Sequence, residues 1–230
     1  MPRAVGAAGG EGGEWGPESV AQEGRRRCGR SDLVVGMAAR QWYICAMTAL
    51  PQHRMTVDEY LAWAEGQPGR FELYAGTVYA MAPERARHAE IKLALHMALV
   101  AAIRKAGLPC HVLPDGMTVR IDKATAHEPD GLVYCGPKLP ASALEVPNPI
   151  IVAEVLSPTT RHVDASLKLP GYFRVPSVAH YLIVDPDQPL IIHHRRGNTD
   201  TIMTHIVREG AITLDPPGFD LALDDIYGTV

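Results

Sequence analysis

The sequence predicts an α/β fold, a mixed β-sheet flanked by α-helices. Three observations carry that expectation. Ile91, Leu95, Leu99 and Ile103 recur at helical spacing, as in an amphipathic helix laid on a core. Two short apolar runs rich in β-branched residues, Asp130 to Cys135 and Pro149 to Ser157, read as buried strands. The element order is helix, hairpin, helix, several strands, helix, then more strands, which places helices against the faces of a sheet.

Taken in order, residues 1–46 show no hydrophobic periodicity. Nine of the 21 glycines precede Met37, beside the basic run Arg25, Arg26 and Arg27. Such a stretch cannot offset its ordering entropy by burying apolar surface. The folded domain is therefore expected over 47–230, with 1–46 a disordered extension or the result of a start placed too early, Met37, Met47 and Met55 being alternatives. The run from Trp42 to Leu50 lacks a clear signal-peptide cleavage site. No apolar run has the length of a membrane span.

Thr56 with Glu59 three residues on makes a capping-box pattern, followed by Val57, Tyr60, Leu61 and Ala64 at helical spacing. Gly66 and Pro68 end that helix. Phe71 to Tyr74 and Thr77 to Met81 read as a hairpin around Ala75-Gly76. The long helix runs from Arg87 to Lys105 and ends at Gly107 and Pro109. Short strands are expected at Cys110 to Leu113 and Met117 to Ile121, before the two buried runs. Val163 to Val175 reads as a helix that Pro170-Gly171 must kink or restart. Tyr181 to Val184 and Leu190 to His194 form a hairpin around DPDQP, and weaker strands follow at Thr201 to Val207 and Ala211 to Leu214.

Composition excludes several classes. Hydrophobic residues at 47% and charged residues at 21% are globular values. The formal net charge is -4, and 16 Lys and Arg against 21 Asp and Glu follow from Met47 onward. This is not the basic footprint of a non-specific nucleic-acid binder, so any such contact must be local. Cys28, Cys45, Cys110 and Cys135 have no CxxC spacing, which suggests neither a disulfide framework nor a zinc site and fits a reducing, cytoplasmic compartment. No Walker loop, dinucleotide fingerprint or G-x-S-x-G around Ser157 is present. His193 and His194 alternate along a strand and cannot both face one metal.

The chemistry concentrates in two acids. Asp130 opens one buried run and Glu154 sits inside the next, between Ala153 and Val155. A buried carboxylate costs several kcal/mol unless it is paired. Two on successive strands suggest a shared hard cation, Mg²⁺ first, with Mn²⁺ an alternative. Asp164 and Lys168, four apart, could be an exposed helical ion pair. Beside a metal, Lys168 could instead orient water or neutralise phosphate charge.

Those residues carry a resemblance. MTVDEYL at 55–61, FELYAGTVYAMAP from Phe71, His88, EPDGLVY, IIVAEVLSPTTRHVDASLKLPGYF and HYLIVDP at 180–186 resemble the Uma-type restriction endonuclease family of bacteria, a branch of the PD-(D/E)XK nucleases. The resemblance implies a restriction-endonuclease-like fold and a Mg²⁺-dependent endodeoxyribonuclease. Asp130 and Glu154 would hold the metal with the Val155 carbonyl, Lys168 would position or activate water, and Glu72 would be an early acid of the site. His88 matches a family position without an assigned role. The superfamily lysine lies two residues after the second acid, where this chain has Leu156, so the resemblance implies that Lys168 supplies it from the following helix. DNA is the implied partner, and cutting both strands of a duplex implies a homodimer. A nuclease fold without catalysis, serving DNA binding or regulation, and a non-nuclease metal-binding protein stand as alternatives.

Overall fold

A computed structural model of the chain describes residues 50–157, 167–198 and 201–228. The proposed extension 1–46, and Asp164 with the first residues of the expected 163–175 helix, lie outside the described residues.

The fold is α/β, and its sheet is divided. Six strands form a mixed sheet in the order β10 (Ile202–Val207), β9 (Ile191–Arg196), β8 (His180–Val184), β7 (Ile151–Val155), β6 (Gly131–Cys135) and β3 (Cys110–Pro114). Only β7 and β8 pair in parallel; the other pairs of this sheet are antiparallel. A second, antiparallel sheet runs β2 (Thr77–Ala80), β1 (Phe71–Tyr74), β5 (Thr125–His127), β4 (Val119–Asp122). β11 (Ala211–Leu214) and β12 (Phe219–Ala222) form a two-stranded ribbon.

Side-chain alternation explains why β7 is buried along its whole length, with Glu154 its one charged residue. Ile151, Ala153 and Val155 enter one core with Ile91, Leu95 and Leu99 of the long helix α2 (Ala86–Ala106). Val152 enters the core on the opposite face, with Tyr172 and Phe173 of α3 (Leu169–Arg174) and Tyr181. Both faces are thus covered. The helix α1 (Val57–Ala64) packs Val57 and Tyr60 against Leu73, Val78 and Ala126 of the smaller sheet. Its capping box forms as expected: Thr56 Oγ1 accepts from the Glu59 amide, and Glu59 Oε2 accepts from the Thr56 amide at 2.8 Å. α2 ends at Gly107 in the left-handed conformation, φ 65°.

Three short elements were not expected. β5 is only three residues long, and the β12 strand with helix α4 (Asp224–Tyr227) follows the prolines 216 and 217. Such runs are too short to show a period. A further correction concerns the cysteines: Cys110 and Cys135 form a disulfide. They are direct partners in the β3–β6 register, 25 residues apart in sequence, and spacing rules do not see cross-strand pairing. Among the described residues no helix is long and apolar enough to cross a membrane.

Candidate active site

The site lies at the seam of the two larger sheets. β5 of the smaller sheet runs through Glu128, Pro129 and Asp130 directly into β6 of the larger one. On β7, Glu154 shares a face with Val152, so its carboxylate enters the α3 side of the sheet.

Among the described residues two donors meet it there. Lys168 Nζ lies 2.9 Å from Glu154 Oε1, and the Tyr172 hydroxyl donates to the same oxygen at 2.6 Å. Lys168 also reaches Glu72 Oε1 on β1 at 3.0 Å. Lys168, Glu154 and Tyr172 are all buried, with Glu72 partly so. Burial, and then the Glu154 carboxylate, hold the Tyr172 hydroxyl well above its ordinary range, so it stays a donor.

Asp130 occupies a second, neighbouring centre. Its Oδ2 accepts from the Val155 amide at 2.8 Å, so the residue after Glu154 anchors it. His88, in the first turn of α2, places Nε2 3.0 Å from the Val155 carbonyl and 3.4 Å from Asp130 Oδ2. Burial disfavours the imidazolium, but the Asp130 hydrogen bond and charge outweigh it and raise the His88 pKa. Burial likewise opposes ionisation of Asp130, and the His88 contacts and the Val155 amide overcome it, leaving the pKa lowered. Glu84, on the segment before α2, brings a carboxylate oxygen into the same group: one donor atom each of Glu84, His88 and Asp130 lie within 4.8 Å of one another.

The two centres belong to one circuit of charge. Lys92 pairs with Glu84, with Asp115 at 2.9 Å, and lies 3.9 Å from Asp130. Arg70 pairs with Asp115, with Glu84 at 3.0 Å and with Glu128 at 2.6 Å. The Glu128 amide donates to Glu72 Oε1 at 3.0 Å, and Glu72 leads through Lys168 to Glu154. The circuit closes through the peptide joining Glu154 to Val155. Among the described residues it contains six carboxylates, those of Glu72, Glu84, Asp115, Glu128, Asp130 and Glu154, and three permanent cations, Arg70, Lys92 and Lys168. Burial is the main reason the Glu128 pKa is raised, against the pull of Arg70.

All four acids and bases expected from the sequence therefore fall in this circuit, with Glu72, Glu154 and Lys168 in direct contact and Asp130 joined to them through the Val155 peptide. Sequence reasoning missed Glu84, Lys92, Arg70, Asp115 and Glu128. Glu84 and Lys92 are eight apart, and the others are charged residues next to turns or strand ends, a pattern that surface residues share. Lys92 alone carried a usable signal: it lies on the apolar side of α2, next to Ile91 and one turn before Leu95 and His96, and it is buried.

A family model described as "Uma2: Putative restriction endonuclease" matches residues 57–224. The uncharacterized protein slr1290 of Synechocystis sp. is 27% identical over 179 residues, covering 77% of this chain and 93% of its own. A crystal structure titled as a putative nuclease belonging to DUF820, from Anabaena variabilis, superposes with a TM-score of 0.59 at 14% identity, covering 76% of this chain and 98% of the other. That likeness extends to the fold.

Proposed function

The chain belongs to the Uma2 family, described as putative restriction endonucleases, and from that premise we propose that it is a metal-dependent endodeoxyribonuclease hydrolysing phosphodiester bonds. The observation that carries the reading is the excess of carboxylates in the circuit among the described residues, six against three permanent cations, with Glu128, Asp130 and Glu154 buried, which favours taking up a further cation.

Glu84, His88 and Asp130, whose donor atoms lie within 4.8 Å of one another, form a donor set that fits a divalent ion. Asp130 and Glu154 are buried hard-oxygen donors on either side of the Val155 peptide, and Glu84 and His88 bring further donor atoms to Asp130. His88 Nδ1 is buried without a hydrogen-bond partner. Mg²⁺, or Mn²⁺ in its place, would be held by Asp130 and Glu154 with the Val155 carbonyl as a third oxygen. A bound ion of this kind polarises a phosphoryl oxygen and lowers the pKa of water. The chain's own contribution is to hold Lys168 at the Glu154 carboxylate, where its ammonium can orient water or offset phosphate charge. Glu72 holds the other side of that ammonium and so sets its position.

DNA is the proposed partner and the cytoplasm the proposed location, where the Cys110–Cys135 pair would be exposed to reduction. A homodimer would supply the two sites that a double-strand cut requires. Support comes from β10, which ends the six-stranded sheet and exposes Ile202, Met203 and Ile206.

The test is cleavage of plasmid DNA with Mg²⁺, with Mn²⁺ and with chelator, for the parent, Glu154→Gln and Asp130→Asn. The expected result is metal-dependent nicking by the parent, lost in both variants together with the thermal stabilisation that Mg²⁺ gives the parent. Cleavage by Glu154→Gln at the parent rate would refute the assignment. A parent that is stabilised by Mg²⁺ through Glu154 but never cuts would instead favour the metal-binding fold without catalysis.

A further inference from the structure

A second feature adjoins the charge circuit without belonging to it. The smaller sheet buries Leu73 and Ala126 against α1, so its other face carries Glu72, Tyr74, Thr125 and His127 toward α3. Glu72 belongs to the circuit. The rest of this face lines a cleft of about 420 Å³ closed on its far side by Leu167, Gly171 and Arg174. The volume is within the range of ligand pockets, ~300–1,000 Å³.

His127 lines the cleft. It is 4% exposed, and neither ring nitrogen has a hydrogen-bond partner. Burial, its main cause, lowers the pKa of this imidazole to about 4, so at neutral pH it offers one donor and one acceptor, both unused. A buried polar group in that condition costs free energy unless something meets it. Gly171 packs against the ring, and a Cβ there would stand 3.4 Å from Nε2.

Tyr74 supplies the other half. It is 37% exposed, and its ring lies 16° from parallel with His127, the centroids 6.5 Å apart. A planar ligand stacked on Tyr74 lies nearly parallel to the imidazole. Arg54 and Arg174, both exposed, line the same cleft; Arg174 pairs with Asp122 at 2.9 Å. Leu167 and Gly171 bracket Lys168 in sequence, and Tyr172, the next residue, packs its ring on His127 and donates to Glu154. A larger cleft of about 570 Å³ lies by β3 and β6, but its His111 is already bonded to the Gly136 carbonyl and no unpartnered buried polar atom lines it among the described residues.

We propose that the Tyr74–His127 cleft is a nucleobase subsite, in which an unstacked base lies on Tyr74 with its polar edge at His127 and its flanking phosphates near Arg54 and Arg174. The inference rests on the nuclease reading and narrows its substrate class to single-stranded or locally unpaired nucleic acid, because a base held in a duplex cannot enter a cleft. Stacking on an exposed ring with basic neighbours is how sequence-tolerant single-strand binding is built.

The experiment measures fluorescence anisotropy of a short labelled single-stranded oligodeoxynucleotide and of its duplex, with the full chain in chelator so that nothing is cut. The parent is expected to prefer the single strand. Tyr74→Ala should weaken that binding by about fivefold to a hundredfold, Tyr74→Phe should restore it, and His127→Phe should weaken it while keeping the ring. If His127→Phe does not fold, the two exposed-site Tyr74 variants decide. Equal affinity of parent and folded Tyr74→Ala, a parent preference for duplex, or a parent that binds neither probe each overturns the subsite. Cleavage assayed separately with Mg²⁺ keeps the two ideas apart. A parent that binds through Tyr74 and never cuts sinks the nuclease reading alone; a parent that cuts, with Tyr74→Ala binding equally, sinks the subsite alone.

Discussion

Replacing Lys168 by methionine removes one ammonium and keeps most of the stem. The side chain is buried, 2.9 Å from Glu154 and 3.0 Å from Glu72, so the change leaves two largely buried carboxylates without that counter-charge. Breaking a buried ion pair from one side costs about 3–5 kcal/mol. For a domain of this size each kcal/mol shifts Tm by about 2–4 °C, so a fall of about 6–20 °C is expected in chelator near neutral pH. Glu154→Gln should do much less, because the ammonium keeps Glu72 and the amide oxygen still accepts from Tyr172. The double variant should then be less damaged than the two single losses added together, with a coupling of about 1–3 kcal/mol in urea denaturation. Added Mg²⁺ should stabilise Lys168→Met more than the parent, since the cation meets acids that have lost their internal partner. A Lys168→Met protein within about 0.5 kcal/mol of the parent, or strictly additive losses, would refute the reasoning and return Lys168 to the status of a structural spectator.

Three further outcomes are expected. Burial, chiefly, lowers the pKa of His180 and of His193 to about 4, and the two rings bond each other at 2.9 Å. The unfolded chain takes up protons that this pair refuses, so stability present above about pH 6.5 is lost as the pH falls through about 4, by a few kcal/mol at the lower end; urea denaturation at a series of pH values checks this, and a flat profile between those limits contradicts it. The chain begun at Met47 should unfold at the temperature of the full chain, given the glycine-rich, non-periodic composition before it; calorimetry showing a drop of many degrees would mean that the extension packs on the domain. Sedimentation of the parent with DNA should show a dimer that Ile206→Lys, on the exposed edge strand β10, disrupts; a 25 kDa monomer at micromolar concentration in both would end that idea.

What could be read from the sequence followed from period and chemistry. The stripe Ile91, Leu95, Leu99 and Ile103 defines α2 because a helix over a sheet must bury one face continuously, and all four residues are in the core. Glu154 was legible because a carboxylate among Val152, Ala153 and Val155 is expensive, and expense points to a partner. The partners were harder to see. Lys168 comes from 14 residues on and Glu72 from another sheet, so neither is local to the acid it touches. His127 left no trace: β5 is three residues long, and an unpartnered imidazole looks in sequence like any other histidine. The division into two sheets was equally hidden, since the Pro129-Asp130-Gly131 run reads as a turn and does not say that Glu128 to Asp130 carry the chain from one sheet to the other.

The missing lysine at position 156 has a spatial answer. Along a strand, residues two apart share a face, so position 156 stands on the same side as Glu154. In this chain that side is a packed core: Leu156 lies against the cluster of Val152, Tyr172, Tyr181 and Ile183. A lysine there would have to turn its stem out of that apolar contact to bring its ammonium to the acid. Lys168 enters from the start of α3 instead, with Leu169 in the core beside it and Pro170 opening the helix, and it approaches Glu154 over the same face. The exchange has a consequence for the site. A lysine on β7 could serve the acids of β7 and β6, whereas Lys168 is also bound to Glu72 of the smaller sheet. Its position depends on both sheets at once, and so does the cleft that begins on either side of it at Leu167 and Gly171. A displacement of the smaller sheet against α3 would therefore act first on the Lys168–Glu72 contact, the one bond of the ammonium that reaches across to that sheet among the described contacts.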